Sequence, residues 1–163
     1  MVVKTDHTYE VNAEKKVQLL YYKLIDSWNK RNANDYADLF TSDGNIIGFD
    51  GSQANGPEEI KSHLSEVFNH HKTAFYVSIV REIRALDPVV WLLRAVVGMV
   101  PPGQSDINPA VNAIQILIAV KIQDDFKIAL FQNTPAQFHG RPDLTEQLTK
   151  ELNTVLHNSK ILK

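Results

Sequence analysis

Five polar side chains lie within strongly apolar stretches of the chain, and they are the groups best suited to bind a ligand. They are Arg81, Arg94, Gln115, Gln132 and Asn133. A polar group in apolar surroundings needs a partner, because losing water without a replacement hydrogen bond or counter-ion is costly. We therefore expect each of them either to anchor a ligand or to have an internal partner.

The two arginines lie on segments whose alternation predicts strands. Arg94 lies between two apolar residues of one predicted face, and Arg81 shares its predicted face with apolar residues. Inside a cavity, a guanidinium would hold an anionic or carbonyl group of a ligand. The alternative is structural: an ion pair with Glu82 or Asp26, or an edge position from which the guanidinium reaches water.

The amides also have two interpretations. Gln115, Gln132 and Asn133 each stand among apolar residues, where a donor and an acceptor can orient a small molecule. Gln132 and Asn133 are consecutive in a predicted strand, so they point to opposite faces and only one of them can face a cavity. The sequence leaves open which one does.

Aromatic residues are predicted to line an apolar cavity around these groups. The predicted lining comprises Trp28, Tyr36, Phe40, Phe49, Phe68 and Trp91. Together with Arg94, Gln115 and Asn133 they form the predicted ligand-binding set. Ordinary core packing is the alternative for each aromatic residue, because aromatic stripes usually fill a core.

Catalytic groups have little support in the sequence. The one candidate acid or base is Asp50, before Gly51, and a solvated turn aspartate is its alternative. His63, His70 and His71 lie on one predicted helix without a patterned third ligand, so no metal is predicted. Neither a Gly-x-Ser-x-Gly motif nor a glycine-rich phosphate loop occurs, and no cofactor is predicted.

Composition narrows the class of protein. The 163 residues, 44% of them hydrophobic, supply one core, and the net charge of -2 argues against nucleic-acid binding. The absence of cysteine excludes disulfides, thiolate metal sites and cysteine nucleophiles. No signal peptide or long apolar segment is present, so we expect a cytoplasmic protein that does not enter membranes.

Helical periodicity defines the elements that must position these residues. Apolar spacing predicts an amphipathic helix over residues 12–30, and a second helix capped by Asn34 that reaches Phe40. A third helix is predicted to begin at Pro57, and a last helix is predicted with Asp143 as its N-cap.

The predicted organisation has three parts and an α+β fold. Residues 1–12 are predicted to be a flexible arm, residues 13–140 one domain, and residues 141–163 a C-terminal helical extension. The helices are expected on one side of a curved antiparallel sheet.

Period-two alternation predicts the sheet. A short strand is predicted over 45–49, followed by four strands over 75–87, 89–100, 114–122 and 126–134 that form an antiparallel meander. The middle two strands are apolar on both faces, so both faces of the sheet must be covered. Since the helices cover only one, we expect a homodimer through the other face.

Alternation also assigns faces within the first strand of the meander. Val77, Ile79 and Ile83 are predicted to share its apolar face, with Tyr76 on the opposite face.

The order of elements and four local phrases resemble the NTF2-like superfamily. The phrases are IDSWN at 25–29, LFTSDG at 39–44, GPEEI at 56–60 and FQNT at 131–134. The superfamily includes SnoaL-like polyketide cyclases, ketosteroid isomerases and scytalone dehydratases. The FQNT phrase, with Arg94 on a strand that ends at PPG, is most similar to the SgcJ/EcaC branch.

The resemblance implies a cone-shaped fold with a cavity between sheet and helices, and commonly a homodimer. It implies little about chemistry, because this fold hosts enzymes, carriers and interaction modules. Ketosteroid isomerases use a tyrosine and an aspartate where this chain has Leu24 and Gly48, which argues against the isomerase mechanism.

Two classes of function therefore remain. The first is a cavity that binds a small organic molecule, with cyclase- or isomerase-type chemistry in the same pocket as its catalytic form. The second is a non-catalytic dimeric interaction domain whose cavity is filled by side chains. The weak support for a positioned acid or base favours binding.

Overall fold

The computed structural model describes the backbone of residues 7–161 and the side chains of residues 11–159. The helices are α1 (His7–Asn29), α2 (Ala33–Ala37), α3 (Gly56–His70) and α4 (Pro142–Ile161). Helix α1 already begins at His7, within the predicted arm, and residues 1–6 of that arm lie outside the described residues.

Six strands form one sheet in the order β2-β1-β6-β5-β4-β3. Their bounds are β1 (Phe40–Ile47), β2 (Gln53–Asn55), β3 (Phe75–Asp87), β4 (Val90–Val100), β5 (Ala113–Ile122) and β6 (Asp125–Pro135). Strands β3 to β6 form the predicted antiparallel meander, whereas β1 pairs with β6 in parallel. The α+β class and the curved sheet are confirmed.

The segment after α1 differs from the prediction. The cap of α2 is Asn32 rather than Asn34, and its side chain accepts a hydrogen bond from the amide of Asp35. Phe40 was predicted to be helical, but it begins β1 and pairs with Ile128 of β6. Pairing with β6 therefore takes this residue into the sheet and lengthens β1 beyond the predicted strand.

Helices α1, α2 and α3 cover the inner face of the sheet. The principal core forms between them; it includes Val17, Leu24, Ile60, Leu93 and Leu117, each fully buried. Pro57 lies in the first turn of α3, as predicted, with Glu58 and Glu59 beside it.

Helix α4 packs on the outer face of the sheet, so the expectation that all helices lie on one side is wrong. Leu148, Leu152 and Leu156 of α4 form a second core with Val77 and Val100 of the sheet. The helix begins at Pro142, which places Asp143 in its first turn rather than at the predicted N-cap.

A bulge in β3 changes which residues face the inner core. The pairing between β3 and β4 shifts between Val80 and Glu82. Ile83 therefore packs against the inner core together with Tyr76 and Val80, whereas Val77 contributes to the outer core. The predicted common face of Val77 and Ile83 is thus wrong, because the extra residue reverses the alternation.

Candidate functional site

A cavity of about 250 Å³ lies between the inner face of the sheet and the helices. Its wall is largely apolar, and the polar groups are confined to a few side chains. The lining comprises Leu24, Ile25, Trp28, Tyr36, Ile46, Ile47, Gly48, Phe49, Asp50, His63, Leu64, Val67, Tyr76, Phe131 and Asn133.

Trp28 at the end of α1 forms part of the wall next to Tyr76 of β3. Its ring centroid lies 5.3 Å from that of Tyr76 and 5.3 Å from that of Phe68. The indole N–H donates to the carbonyl of Ala74 at 3.0 Å, which fixes the ring against the start of β3. An aromatic side chain held in this way offers a rigid apolar surface to a ligand.

The backbone of Tyr76 is held by the side chain of Asn29. Asn29 accepts a hydrogen bond from the amide of Tyr76 at 2.7 Å and donates to its carbonyl at 3.2 Å. The Asn29 side chain satisfies both backbone groups of Tyr76, as the backbone of a neighbouring strand would. Because Asn29 belongs to α1, this helix fixes the position of the Tyr76 ring at the cavity.

A chain of four hydrogen-bonded side chains, three of them buried and Tyr76 half-buried, runs from α1 along the inner face of the sheet and ends at the cavity. Tyr21 donates to Gln115 Oε1 at 2.6 Å, and Gln115 donates through Nε2 to Asn133 Oδ1 at 3.2 Å. Asn133 then donates through Nδ2 to the hydroxyl of Tyr76 at 3.1 Å. Each donor points the same way along the chain, so the Tyr76 oxygen accepts a hydrogen bond from Asn133.

Burial dominates the pKa shifts of the tyrosines at the two ends of the chain. Burial raises the pKa of Tyr76 to about 12, and the hydrogen bond with Asn133 opposes that rise. Burial also raises the pKa of Tyr21, and a hydrogen bond with Ser78 opposes it.

Tyr36 provides a second hydroxyl to the cavity. It lies on α2 and stacks on Phe40, with ring centroids 5.7 Å apart. The residue is only 4% exposed, and no group in the described part of the chain forms a hydrogen bond with its hydroxyl. Burial raises the pKa of Tyr36 well above that of free tyrosine, and Tyr76 adds to the rise, so both hydroxyls stay protonated at neutral pH.

Asp50 and His63 lie at the edge of the same cavity. Asp50 is exposed in the tight turn between β1 and β2, where Gly51 has a φ of 87° that suits glycine. Its carboxylate accepts a hydrogen bond from the amide of Ser52 at 2.9 Å. That bond lowers the pKa of Asp50, and His63 lowers it further, which makes the carboxylate a weaker base.

The structure brings four residues of the predicted ligand-binding set to the cavity wall. These are Trp28, Tyr36, Phe49 and Asn133. Asn133 therefore faces the cavity, and Gln132 lies on the other face, where it donates to Thr134. Gln115 is fully buried directly behind Asn133 and reaches the cavity only through it.

Three predicted aromatic residues lie behind the wall instead. Phe40 supports Tyr36, and Phe68 supports Trp28. Trp91 packs edge-to-face against Phe126 in the principal core, outside the cavity. These three residues therefore pack in the core, which was the alternative to lining the cavity.

Arg94 is not in the cavity. It lies on the outer face of the sheet, where its side chain is 52% exposed and pairs with Glu82 at 2.6 Å. Even-numbered residues of β4 point outward because Leu93 and Ala95 fill the inner core. The ion pair with Glu82 was one of the two interpretations, and the ligand-anchor interpretation is wrong. Arg81 likewise points outward and pairs with Glu151 of α4 at 2.5 Å.

The prediction from sequence missed two residues of the polar chain. Tyr21 lies in α1, which was predicted only as an amphipathic helix, and Tyr76 lies opposite Val77 as predicted, but its face was not recognised as the cavity side. Their hydroxyls and the two buried amides, Gln115 and Asn133, are complementary groups with no other predicted partner. That complementarity was the available signal.

No group of three or more histidine and acidic residues within the described part of the chain could hold a metal ion. In the same part of the chain, no helix has the length and apolarity needed to cross a membrane.

Solved structures share this architecture. A domain of unknown function with a cystatin-like fold from Nostoc punctiforme aligns with a TM-score of 0.74 at 18% identity, over 91% of this chain and 97% of its own. A ketosteroid isomerase-like protein from Erwinia carotovora atroseptica aligns with a TM-score of 0.61 at 12% identity, over 76% and 96%. An NTF-2 like protein of unknown function from Shewanella oneidensis gives 0.57 at 14%, over 74% and 97%.

The chain has the NTF2-like, cystatin-like fold. No family model matches it, and no curated protein does. At these identities the likeness describes the fold alone, so the SgcJ/EcaC assignment stays a prediction.

Proposed function

We propose that this NTF2-like protein binds a small, mostly apolar organic molecule in its cavity, with one polar group of the ligand at the inner end. The Tyr36 hydroxyl carries the proposal. Tyr36 is a buried residue that lines the cavity, and no described residue forms a hydrogen bond with its hydroxyl. A ligand atom in the cavity would supply the hydrogen bond that the described residues do not provide.

The size and composition of the cavity support the same proposal. Its wall combines rigid aromatic surface with few polar groups, as in sites for small molecules. The apolar area would give affinity, and the hydroxyls of Tyr36 and Tyr76 would orient the ligand.

A titration followed by nuclear magnetic resonance tests this proposal. The probes are one- and two-ring aromatic ketones, phenols, carboxylic acids and hydrocarbons, and the reporter is the indole N–H of Trp28. Binding should move that resonance in a saturable way. No saturable shift with any compound of the panel would overturn the proposal.

Filling the cavity provides the matched control. Val67 lines the cavity, whereas the adjacent Glu66 is exposed and does not. Val67→Trp should abolish binding by occupying the space, and Glu66→Trp should bind as the wild type does. Equal binding by the two variants would place the ligand elsewhere.

A second candidate function is proton-transfer catalysis in the same cavity. Asp50 favours it, because this residue lies at the edge of the cavity that Tyr36 and Tyr76 also line. A carbonyl compound held by the hydroxyls could lose an α-proton to this base. Asp50→Asn should then abolish deuterium exchange at the α-carbon of a bound ketone and leave its affinity unchanged. The lowered pKa of Asp50 makes binding without catalysis the preferred function.

We also propose that the chain forms a homodimer through the part of the outer sheet face that α4 leaves uncovered. That surface includes Leu92, Ile114, Ile116, Ile118 and Leu130, which are half-buried or exposed. Burying this apolar surface against a second copy would remove it from water. The dimer does not depend on a ligand, so it is also the basis of the alternative function as an interaction domain.

A further inference from the structure

We propose that Gln115 determines which ligands the cavity accepts. Gln115 fixes the order of donors in the chain of hydrogen-bonded side chains, and this order makes Tyr76 a hydrogen-bond donor toward the cavity. The cavity then selects ligands with an acceptor oxygen, such as ketones. The inference rests on the proposed function, because it concerns the ligand of the same cavity. Gln115 itself does not line the cavity, so it acts as a positioning residue.

The order of donors follows from the groups that Gln115 contacts. A side-chain amide has one acceptor and one donor end, and Gln115 uses the acceptor end for the Tyr21 hydroxyl and the donor end for Asn133. Because Asn133 turns Oδ1 toward Gln115, it presents Nδ2, its donor end, to Tyr76. The Tyr76 oxygen accepts that bond, and its own proton remains for the ligand.

Burial makes the order costly to reverse. Gln115 is 0% exposed and Asn133 is 6% exposed, so water cannot replace a lost partner easily. Reversal would require both amides and both hydroxyls to turn together, because a single reversed member would set two donors or two acceptors against each other. The order seen in the structure therefore changes only as a whole, and in that order the end at the cavity is a donor.

Tyr36 contributes differently from Tyr76. No residue in the part of the chain that the structure describes forms a hydrogen bond with the Tyr36 hydroxyl. This hydroxyl can therefore donate a hydrogen bond to a ligand or accept one from it. Discrimination between ligands thus comes from Tyr76, and the Tyr36→Phe variant isolates its effect.

Two ligands of the same shape test the selectivity. Acetophenone carries a carbonyl oxygen where α-methylstyrene carries a methylene group, so the pair differs chiefly in the hydrogen-bond acceptor. In the Tyr36→Phe background, acetophenone should bind about five- to tenfold more tightly than α-methylstyrene, the ratio expected for one buried hydrogen bond. Equal affinities would overturn the inference.

Replacing Gln115 tests its positioning role. In Gln115→Met, Asn133 Oδ1 loses its donor and turns toward Tyr76, which then donates to it instead of to the ligand. The preference for acetophenone should fall to about one, with the affinity for α-methylstyrene unchanged. Gln132→Met is the matched control, because Gln132 lies on the outer face of the adjacent strand, opposite Ile116 of β5. A preference retained in Gln115→Met, or lost equally in Gln132→Met, would refute the role.

The order of donors can also be measured without any ligand. In the stated order, Tyr76→Phe removes the acceptor of Asn133 and should shift the side-chain Nδ2 resonance of that residue, whereas Tyr21→Phe should leave the Gln115 Nε2 resonance in place. The opposite order exchanges these two results and would overturn the inference. If neither probe binds but the resonances follow the stated order, the proposed function fails for these ligands while the order of donors stands.

Discussion

Arg94 and Glu82 lie directly opposite each other on β4 and β3, with the guanidinium Nε 2.6 Å from the carboxylate on the outer face of the sheet. Arg84 contacts the same carboxylate at 3.0 Å, so Glu82 serves two arginines. The three side chains are partly exposed, which places the cluster in water rather than in the core.

Arg94→Met should therefore have a small effect. Exposed ion pairs contribute about 0–1 kcal/mol, and Glu82 keeps Arg84 as a partner after the substitution. We expect the free energy of unfolding to change by less than about 1 kcal/mol, and ligand affinity to remain that of the wild type. Urea unfolding and the acetophenone titration measure the two quantities. A loss of acetophenone binding in Arg94→Met would contradict the placement of Arg94 outside the binding site.

Adjacent residues of β5 should respond in opposite ways to a charge. Leu117 is fully buried in the inner core, whereas Ile116 points outward on the surface proposed for the dimer. Leu117→Glu should unfold the chain, because a carboxylate without a partner is costly to bury. Ile116→Glu should leave a folded monomer. Circular dichroism and light scattering distinguish these outcomes, and a wild type that is already monomeric would remove the dimer proposal.

The buried tyrosines should make the protein sensitive to high pH. An unfolded tyrosine has a pKa near 10, whereas burial raises the pKa of Tyr76 to about 12 and those of Tyr21 and Tyr36 also upward. Between these values the unfolded state has lost protons that the folded state retains, so the free energy of unfolding falls as pH rises from about 10 to 12.

Denaturant unfolding at several pH values measures this loss. Tyr36→Phe should reduce the slope, because one late-titrating phenol is removed. A wild-type stability that stays constant above pH 10 would contradict the burial of these hydroxyls.

Gly98 should be intolerant of a side chain. A Cβ at this position of β4 would lie 2.8 Å from Ile107 Cγ2 and 3.0 Å from Leu152 Cδ1, between the sheet and α4. Because Ile107 Cγ2 is attached directly to Cβ, it cannot move away without a rotamer change. Gly98→Ala should cost about 1–3 kcal/mol of unfolding free energy.

Removing the obstructing methyl group provides the control. In an unfolding cycle, Ile107→Ala should reduce the cost of Gly98→Ala, since the two groups compete for one space. Strictly additive effects would mean that the two side chains do not meet.

How far the sequence determines the site is clearest in β3. The alternating pattern places the strand correctly, but the bulge between Val80 and Glu82 reverses the faces beyond it, and no local signal marks that extra residue. Tyr76 precedes the bulge and lies opposite Val77 as predicted; it was missed because the apolar face of Val77 packs under α4 and not against the cavity. The side to which α4 would pack was equally hidden, because an amphipathic stripe shows that a surface is covered but not which surface.

Residues for which the sequence allowed only two positions or partners were easier to predict. Asn133 had to face inward or outward, and both sides were considered before the structure placed it at the cavity. Glu82 was one of the two carboxylates named as alternatives for an ion pair, and the structure pairs it with Arg94 across neighbouring strands. The sequence did not predict which of these residues contact one another in the folded chain. The order of donors from Tyr21 to Tyr76 depends on those contacts.

The parallel pairing of β1 with β6 has a consequence for the way the protein is made. Ile46 of β1 lies opposite Phe131 of β6, and both side chains form the cavity wall. During synthesis β1 leaves the ribosome well before β6, so β1 and the helices α1 to α3 remain with an open apolar surface until β6 is made. The binding site is therefore among the last parts of the molecule to form, and a nascent chain that stops before β6 has no cavity to fill.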